Sequence, residues 1–377
     1  MLGTDYGLRT TGPPLRTTSL DLYRNTTYSL FTVMTTDTYP AIPQTPPPPP
    51  PAPTKKKGGF GKKAFFALLI LAVVGVFGTI GYVKWTEGKI NRIPSEELAS
   101  LATVAPGSSE PLNFLVIATD DRSNLPDDWE DNFGDFTGRR TDVMMLAHLV
   151  PGERIQLLSL PRDLQAEIEG HGTNRLNAAF VFGGPDLLIK TVQQETGIPV
   201  HHYLEIDFGG FGRIVDSLGG VTIDFPYPAR DGKSGFEVEA GTHTLDGEMA
   251  VAYARSRTYE VYKDGSWQGT GGGDIARTQR QQDIMVQLFD QVASPSSAFN
   301  LPTFLPTFAD NITADEALGL ALMTDLGRSA LGLQSANIDR VTLPVKNHKG
   351  SDGRAYVIPT DEAAAVIAAF MAGDPYP

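Results

Sequence analysis

Residues 64–83 form a run of 20 residues without a charged side chain, and this run constrains the chain more than any other feature. As a helix rising ~1.5 Å per residue it spans ~30 Å, about one bilayer hydrocarbon core. A cleaved secretion signal has a shorter apolar stretch of ~7–15 residues close to the N-terminus, whereas this one begins after residue 60. A single uncleaved transmembrane helix is therefore expected. Lysines 55–57, 62 and 63 precede it, and Lys84, Lys89 and Arg92 follow. The basic excess lies upstream, the direction that keeps the N-terminus cytoplasmic and puts the bulk of the chain outside.

The anchor divides the chain. Residues 1–63 are polar and low in complexity, with a proline run at 46–51. Proline removes backbone donors and favours extended polyproline II, so a disordered cytoplasmic tail is expected here. Residues 84–110 read as a membrane-proximal spacer, and residues 111–377 as an extracytoplasmic domain long enough to bury its own core. Of the 31 Lys/Arg and 44 Asp/Glu, eight and three fall in residues 1–83, which leaves residues 84–377 at a net −18. Nucleic acids are bound by neutralising phosphates with a basic surface, so they are not expected partners. The absence of cysteine excludes disulfides, thiol catalysis and Cys-based metal sites.

In the exported part, apolar runs alternate with helical stretches. Residues 112–119, 203–206, 221–225 and 340–344 read as strands. Residues 143–150 and 155–160 read as a hairpin turning at Pro151-Gly152. Helices are expected at 174–182, 186–196, 208–218, 245–253 and 314–333. This interleaving predicts an α/β fold, a layered sheet with helices on both faces.

Against the acidic background, four arginines crowd between positions 255 and 280, in Tyr253-Ala-Arg255-Ser-Arg257 and Asp274-Ile-Ala-Arg277-Thr-Gln-Arg280-Gln281. Arginine is the usual residue for bidentate recognition of phosphate or carboxylate. From Asp274 onward, Ile284, Met285, Leu288 and Val292 make an apolar helical stripe. Arg277 and Gln281 fall on its centre and Arg280 on its edge. Buried charge must be paired, so these side chains imply an internal anion pocket or internal salt bridges to Glu260, Asp264 or Asp274. Arg255 and Arg257 share a face only where the chain is extended. The glycine-rich residues 258–273 read as a loop.

Three further motifs sit at strand ends: Asp120-Asp121-Arg122, Arg139-Arg140-Thr141-Asp142 and Pro161-Arg162-Asp163. Ligands gather at such ends in open α/β sheets. Carboxylates beside a phosphate site suit Mg²⁺ or Mn²⁺, while strand-end capping and surface pairing would use the same residues. The histidines show no metal-binding spacing, and neither a GxSxG elbow nor a Walker A loop is present.

In order along the chain, Ile117-Ala-Thr-Asp120-Asp-Arg122, Arg140-Thr-Asp142, Leu158-Ser-Leu-Pro161-Arg162-Asp163, Arg175-Leu-Asn177-Ala-Ala, Tyr253-Ala-Arg255-Ser-Arg257 and Arg277-Thr-Gln-Arg280-Gln281-Gln resemble the LytR–CpsA–Psr family of bacterial envelope phosphotransferases. The resemblance covers about residues 112–292, and more weakly the C-terminal region. It implies a membrane-anchored transferase that moves a glycopolymer from a polyprenyl-pyrophosphate carrier to peptidoglycan through a phosphodiester, with lipid, donor and peptidoglycan as partners. By the same resemblance, Asp120 and Asp142 hold Mg²⁺. Arg140, Arg162, Arg255, Arg257 and Arg277 clamp the pyrophosphate, with Gln281 beside them. Arg175, also expected at the pyrophosphate, stands where the family has lysine, and Ala118 where it has glycine. The segment 121–139 is long against the family pattern. Arg162, Arg255 and Arg257 are the expected catalytic cations; Asp163, Asp120 or a metal-bound species activates the acceptor. Phe180, Val181, Phe182, Leu187 and Leu188 either line the family's lipid tunnel or are plain core. A lipid-phosphate binding module without turnover and a lipid-pyrophosphate hydrolase use the same arginine pocket.

Overall fold

The structure, a computed structural model, describes residues 82, 84–104, 110–121, 129, 141–150, 153–271, 273–293, 301–319, 322 and 337–377. Its strands are β1 (Asn91–Ile93), β2 (Leu112–Thr119), β3 (Thr141–Val150), β4 (Arg154–Ser159), β5 (Gln165–Ile168), β6 (Gly172–Arg175), β7 (His202–Asp207), β8 (Val221–Phe225), β9 (Ala229–Asp231), β10 (Phe236–Val238), β11 (Gly241–Leu245), β12 (Glu260–Lys263), β13 (Ser266–Gly269), β14 (Ile312–Asp315), β15 (Ile338–Thr342), β16 (Val345–Lys349) and β17 (Ala355–Pro359). Its helices are α1 (Leu176–Thr196), α2 (Phe208–Ser217), α3 (Gly247–Arg255), α4 (Gly273–Ala293), α5 (Leu301–Asp310) and α6 (Glu362–Ala372).

Seven strands form a mixed sheet in the order β1-β14-β7-β2-β3-β4-β15. β1/β14, β2/β7 and β4/β15 pair parallel, and the other neighbours pair antiparallel. The period of two in β2 decides what each face meets. Leu115 and Ile117 join a core with Leu188 and Val192 of α1 and Phe370 of α6. Val116 and Ala118 line a space shared with α2, α3 and α4. Helices thus cover both faces, and the expected α/β layering is present.

Local chemistry starts and spaces the helices over the second face. Asp207 and Asp246 cap α2 and α3, accepting from Gly210 N at 2.5 Å and Met249 N at 2.9 Å. A Cβ at Gly247 would sit 2.3 Å from the Gly212 carbonyl oxygen, so glycine lets α3 lie directly on α2. Both expected helices between residues 174 and 196 belong to α1, broken by non-helical Gly183 and Gly184 before Pro185.

The structure departs from sequence expectation in several places. The expected spacer 84–110 contributes β1 to the sheet edge. Ala314 and Asp315 are not helical: they end β14, which β1 and β7 hold from both sides. The rest of the expected helix 314–333 lies largely outside the described residues. The expected loop 258–273 contains the β12–β13 hairpin, which extends a second sheet of order β10-β9-β12-β13. The tail 1–63 and the anchor 64–83, apart from Tyr82, also lie outside the described residues. Among the described residues no helix is long and apolar enough to cross a membrane.

Candidate active site

The site forms where β3 begins, β4 ends, and α3 and α4 approach. Thr119 pairs with Thr141 and Ala118 with Val143, so Asp142 is the extra residue of a bulge in β3. Bulges re-aim a side chain without breaking the sheet. Asp142 Oδ1 accepts from Arg162 Nη1 at 2.7 Å, and Arg257 Nη2 lies 3.3 Å from both carboxylate oxygens. Burial pushes the Asp142 pKa upward, but the charges of Arg277, Arg162 and Arg257 and the bond from Arg162 outweigh it. The group is held below the usual carboxylate range and stays ionised.

Helical phase brings in the remaining cation. Arg277 and Gln281 face inward from α4, as their places on the apolar stripe require, and are 3% and 8% exposed. Gln281 Nε2 donates to the Ala254 carbonyl at 3.1 Å. Arg255 ends α3 with its guanidinium 5.4 Å from the Phe208 ring centre. Ser256 then turns extended (φ −56°, ψ 123°), which separates Arg255 from Arg257. Arg280 takes a different role. It is buried, donates to the Ser256 carbonyl, and stacks 4.8 Å from the Tyr259 ring centre. Its burial lowers its pKa, while Tyr253, Tyr259, Asp231 and Asp283 oppose the shift.

Sequence reasoning missed the residues that hold this loop. Asp231 accepts from Thr258 N and Thr258 Oγ1, both at 2.7 Å, and from Lys233 N at 2.9 Å. Burial raises its pKa, and the bonds from Thr258, Lys233 and Arg257 outweigh this, leaving it lowered. Ser256 Oγ meets Ser234 Oγ at 3.0 Å. The legible signal was only an acid in an Ala-Arg-Asp segment before a Gly-rich turn.

Two spaces flank the arginines. An apolar slot of about 70 Å³ runs between the sheet and α2–α4, lined by Val116, Val143, Met145, Phe208, Phe211 and Ile284 among others. Gln281 is one of its walls, so the slot adjoins the arginine cluster. A groove of mixed polar and apolar lining, about 580 Å³, lies between Arg162, Asp163, Arg175 and the β16–β17 hairpin, with Lys346 and Asn347 among its lining residues. Arg175 donates to the Ala355 carbonyl at 3.2 Å and pairs with Asp163 at 3.3 Å, so it joins the hairpin to the end of β4. Asp163 also lies 3.7 Å from Arg162 Nε.

Phe180, Val181, Phe182, Leu187 and Leu188 are not on the slot. Phe180 and Leu188 are core on the opposite face, Leu187 packs against that core, and Val181 and Phe182 are exposed. Arg140 lies outside the described residues. Asp120 follows β2 directly, one residue past the pairing of Thr119 with Thr141. Among the described residues no group of three or more His, Asp or Glu side chains is assembled to hold a metal. Asp142 is kept ionised, but both of its oxygens already face Arg162 or Arg257, so a hard cation there would draw most of its oxygens from a bound phosphate.

The LytR_cpsA_psr family model matches residues 83–371. The chain is 32% identical over 230 residues to the probable cell wall biosynthesis protein LcpB of Corynebacterium glutamicum. That match covers 60% of this chain and 52% of the relative, so the chain spans about half that protein's length. It is 29% identical over 308 residues to the polyisoprenyl-teichoic acid–peptidoglycan teichoic acid transferase TagU of Halalkalibacterium halodurans, covering 81% of this chain and 96% of TagU. A LytR-Csp2A-Psr enzyme from Actinomyces oris superposes with a TM-score of 0.60 at 29% identity, covering 74% of this chain and 95% of that one.

Proposed function

The chain belongs to the LytR–CpsA–Psr family, and from that membership and the site geometry we propose that it is a transferase. It moves a glycopolymer from a polyprenyl-pyrophosphate carrier to peptidoglycan in cell-wall assembly. One observation carries the reading: an ionised carboxylate, Asp142, ringed by Arg162, Arg257 and Arg277, stands beside an apolar slot and a groove of mixed lining. A lipid pyrophosphate bearing a sugar has the same three parts in the same order. The names of TagU and LcpB support the reaction class. Residues 64–83 anchor the chain in the cell membrane with residues 84–377 outside.

In this reading the prenyl tail occupies the slot and the pyrophosphate lies among Arg162, Arg255, Arg257 and Arg277, with Arg140 completing the clamp. The acceptor hydroxyl of peptidoglycan enters along the groove. Its oxygen bonds to the phosphorus that carries the polymer, and the bridging P–O bond breaks to release polyprenyl phosphate. Phosphoryl transfer needs in-line positioning and fixed positive charge more than covalent help. The guanidiniums supply both, and Gln281 orients the junction between tail and phosphate. Of the site carboxylates, Asp163 lines the groove and takes the hydroxyl proton. Asp120 and Asp142 hold Mg²⁺ or Mn²⁺, which when bound adds charge neutralisation at the pyrophosphate.

The test is to incubate the full chain with a labelled lipid-linked saccharide, Mg²⁺ and peptidoglycan fragments. Label on peptidoglycan, lost in Arg257→Ala, supports transfer. Free sugar phosphate would instead make the chain a hydrolase. Tight lipid binding without product under any condition would make it a binding module.

A further inference from the structure

We propose that Trp129 is the residue that sets how much prenyl chain the apolar slot accepts, an inference that rests on the slot being the lipid site. Trp129 is 6% exposed and packs with Phe208, Val251, Ala118 and Phe211. All four of those residues also line the slot. The indole therefore shares its neighbours with the cavity and fills space that would otherwise belong to it.

The fit depends on a second position. A Cβ at residue 212 would lie 2.1 Å from Trp129 Cη2, so only glycine lets the indole rest against α2. Volume gives the consequence. The slot holds about 70 Å³, whereas an apolar cavity of ~150 Å³ takes up one benzene. Beyond its first isoprene units, a branched prenyl chain needs more room than is left beside the indole. The strand walls cannot give, because β2 and β3 are each paired on both edges. Phe208, Phe211, Ile284 and Met285 belong to the helices that wall the slot, whereas Trp129 packs behind that lining from outside the sheet and those helices, so its removal leaves walls and arginines in place. It lies in the segment between β2 and β3, so a change there sets tail recognition apart from pyrophosphate recognition.

The experiment measures binding of inorganic pyrophosphate and of geranyl, farnesyl and geranylgeranyl pyrophosphate to the full chain in lipid nanodiscs. For the native chain, affinity is expected to rise on adding the first isoprene units and then level off. For Trp129→Ala it continues to rise, with geranylgeranyl pyrophosphate bound at least about tenfold tighter than by the native chain. Trp129→Phe falls between, and keeps the test if the alanine variant does not fold. In a Trp85→Phe/Trp267→Phe variant, Trp129 is the one remaining tryptophan, and its emission shifts on binding geranyl pyrophosphate. An unchanged chain-length profile in folded Trp129 variants overturns the proposal and leaves the lipid slot standing. So does unchanged emission on a ligand that binds. If no prenyl pyrophosphate binds better than inorganic pyrophosphate to any form, the lipid reading and this proposal fall together.

Discussion

Arg257 reaches back across 115 positions of sequence to place Nη2 3.3 Å from each carboxylate oxygen of Asp142. The pair joins the loop after α3 to the bulge that opens β3, while Arg162 approaches the same carboxylate from the end of β4. One half-buried anion thus gathers cations from separate elements. The pyrophosphate proposed above would meet guanidiniums already aimed at a common point, which lowers the reorganisation that binding would otherwise require.

Removing those cations separates activity from stability. Arg257 is 42% exposed, and ion pairs at such sites contribute only ~0–1 kcal/mol. Arg257→Ala is expected to lower transfer by ~10²–10³-fold with thermal stability nearly unchanged. Arg257→Lys does not restore the rate, because an ammonium lacks the planar fork. Single-turnover kinetics and thermal melts on the same samples check both halves.

Arg280 gives the opposite pattern. Its guanidinium is buried against Tyr253 and Tyr259 and bound to the Ser256 carbonyl. Arg280→Ala leaves that carbonyl and the tyrosine stack without their partner. It is expected to cost ~1–3 kcal/mol in denaturant unfolding. Pyrophosphate affinity then falls only through loosening of the loop that carries Arg255 and Arg257.

How far the sequence disclosed this division depended on distance along the chain. Helical period turned Arg277 and Gln281 inward, and both are buried. Alternation located β2 and β8 at their observed bounds. The two roles within the arginine set were not legible, because they depend on Tyr259 and the Ser256 carbonyl meeting α4 in three dimensions. Asp231 was missed for the same reason: its partner Thr258 lies 27 positions away in sequence. The lining of the slot was not legible because Phe180 and Val116 are equally apolar, and only sheet topology decides which face each covers.

Adjacent glutamines should behave differently. Gln282 is 3% exposed, and its Nε2 donates to Ser159 Oγ at 2.8 Å and the Val341 carbonyl at 2.9 Å, tying α4 to β4 and β15. Gln282→Ala leaves a buried carbonyl unsatisfied and is expected to cost ~1–3 kcal/mol of stability. Gln281 instead walls the slot. Gln281→Ala should change the affinity ratio between prenyl and inorganic pyrophosphate at a smaller stability cost. Titration calorimetry with both ligands, set beside unfolding curves, separates the two.

Asp231 supports the catalytic loop through charge. Its carboxylate accepts bonds from Thr258, Lys233 and Arg257, and an amide in its place can satisfy only part of them, since its NH₂ faces other donors. Asp231→Asn should lower stability by ~1–3 kcal/mol and reduce transfer while leaving prenyl-length preference unchanged. Transfer at native levels in Asp231→Asn would rule out this supporting role.

The Asp142 cluster also predicts a pH signature. Its folded pKa is lowered, below an ordinary aspartate value of ~3.9. Asp142 therefore adds stability that is fully present above the unfolded pKa and is lost as pH falls through the folded one. Removing Arg162 and Arg257 together deletes two of the charges that oppose burial, so the folded pKa should move upward. If it passes the unfolded value, the sign reverses: ionised Asp142 then opposes folding, and acidification from neutral pH stabilises the double variant. Asp142→Asn added to that variant should remove the reversed contribution, leaving the pH dependence of the other carboxylates such as Asp231. Melting temperatures of the three proteins between pH 3 and pH 7, a window about the ordinary aspartate pKa, decide the matter. A double variant that keeps the native acid profile would show that the arginines do not hold the charge on Asp142.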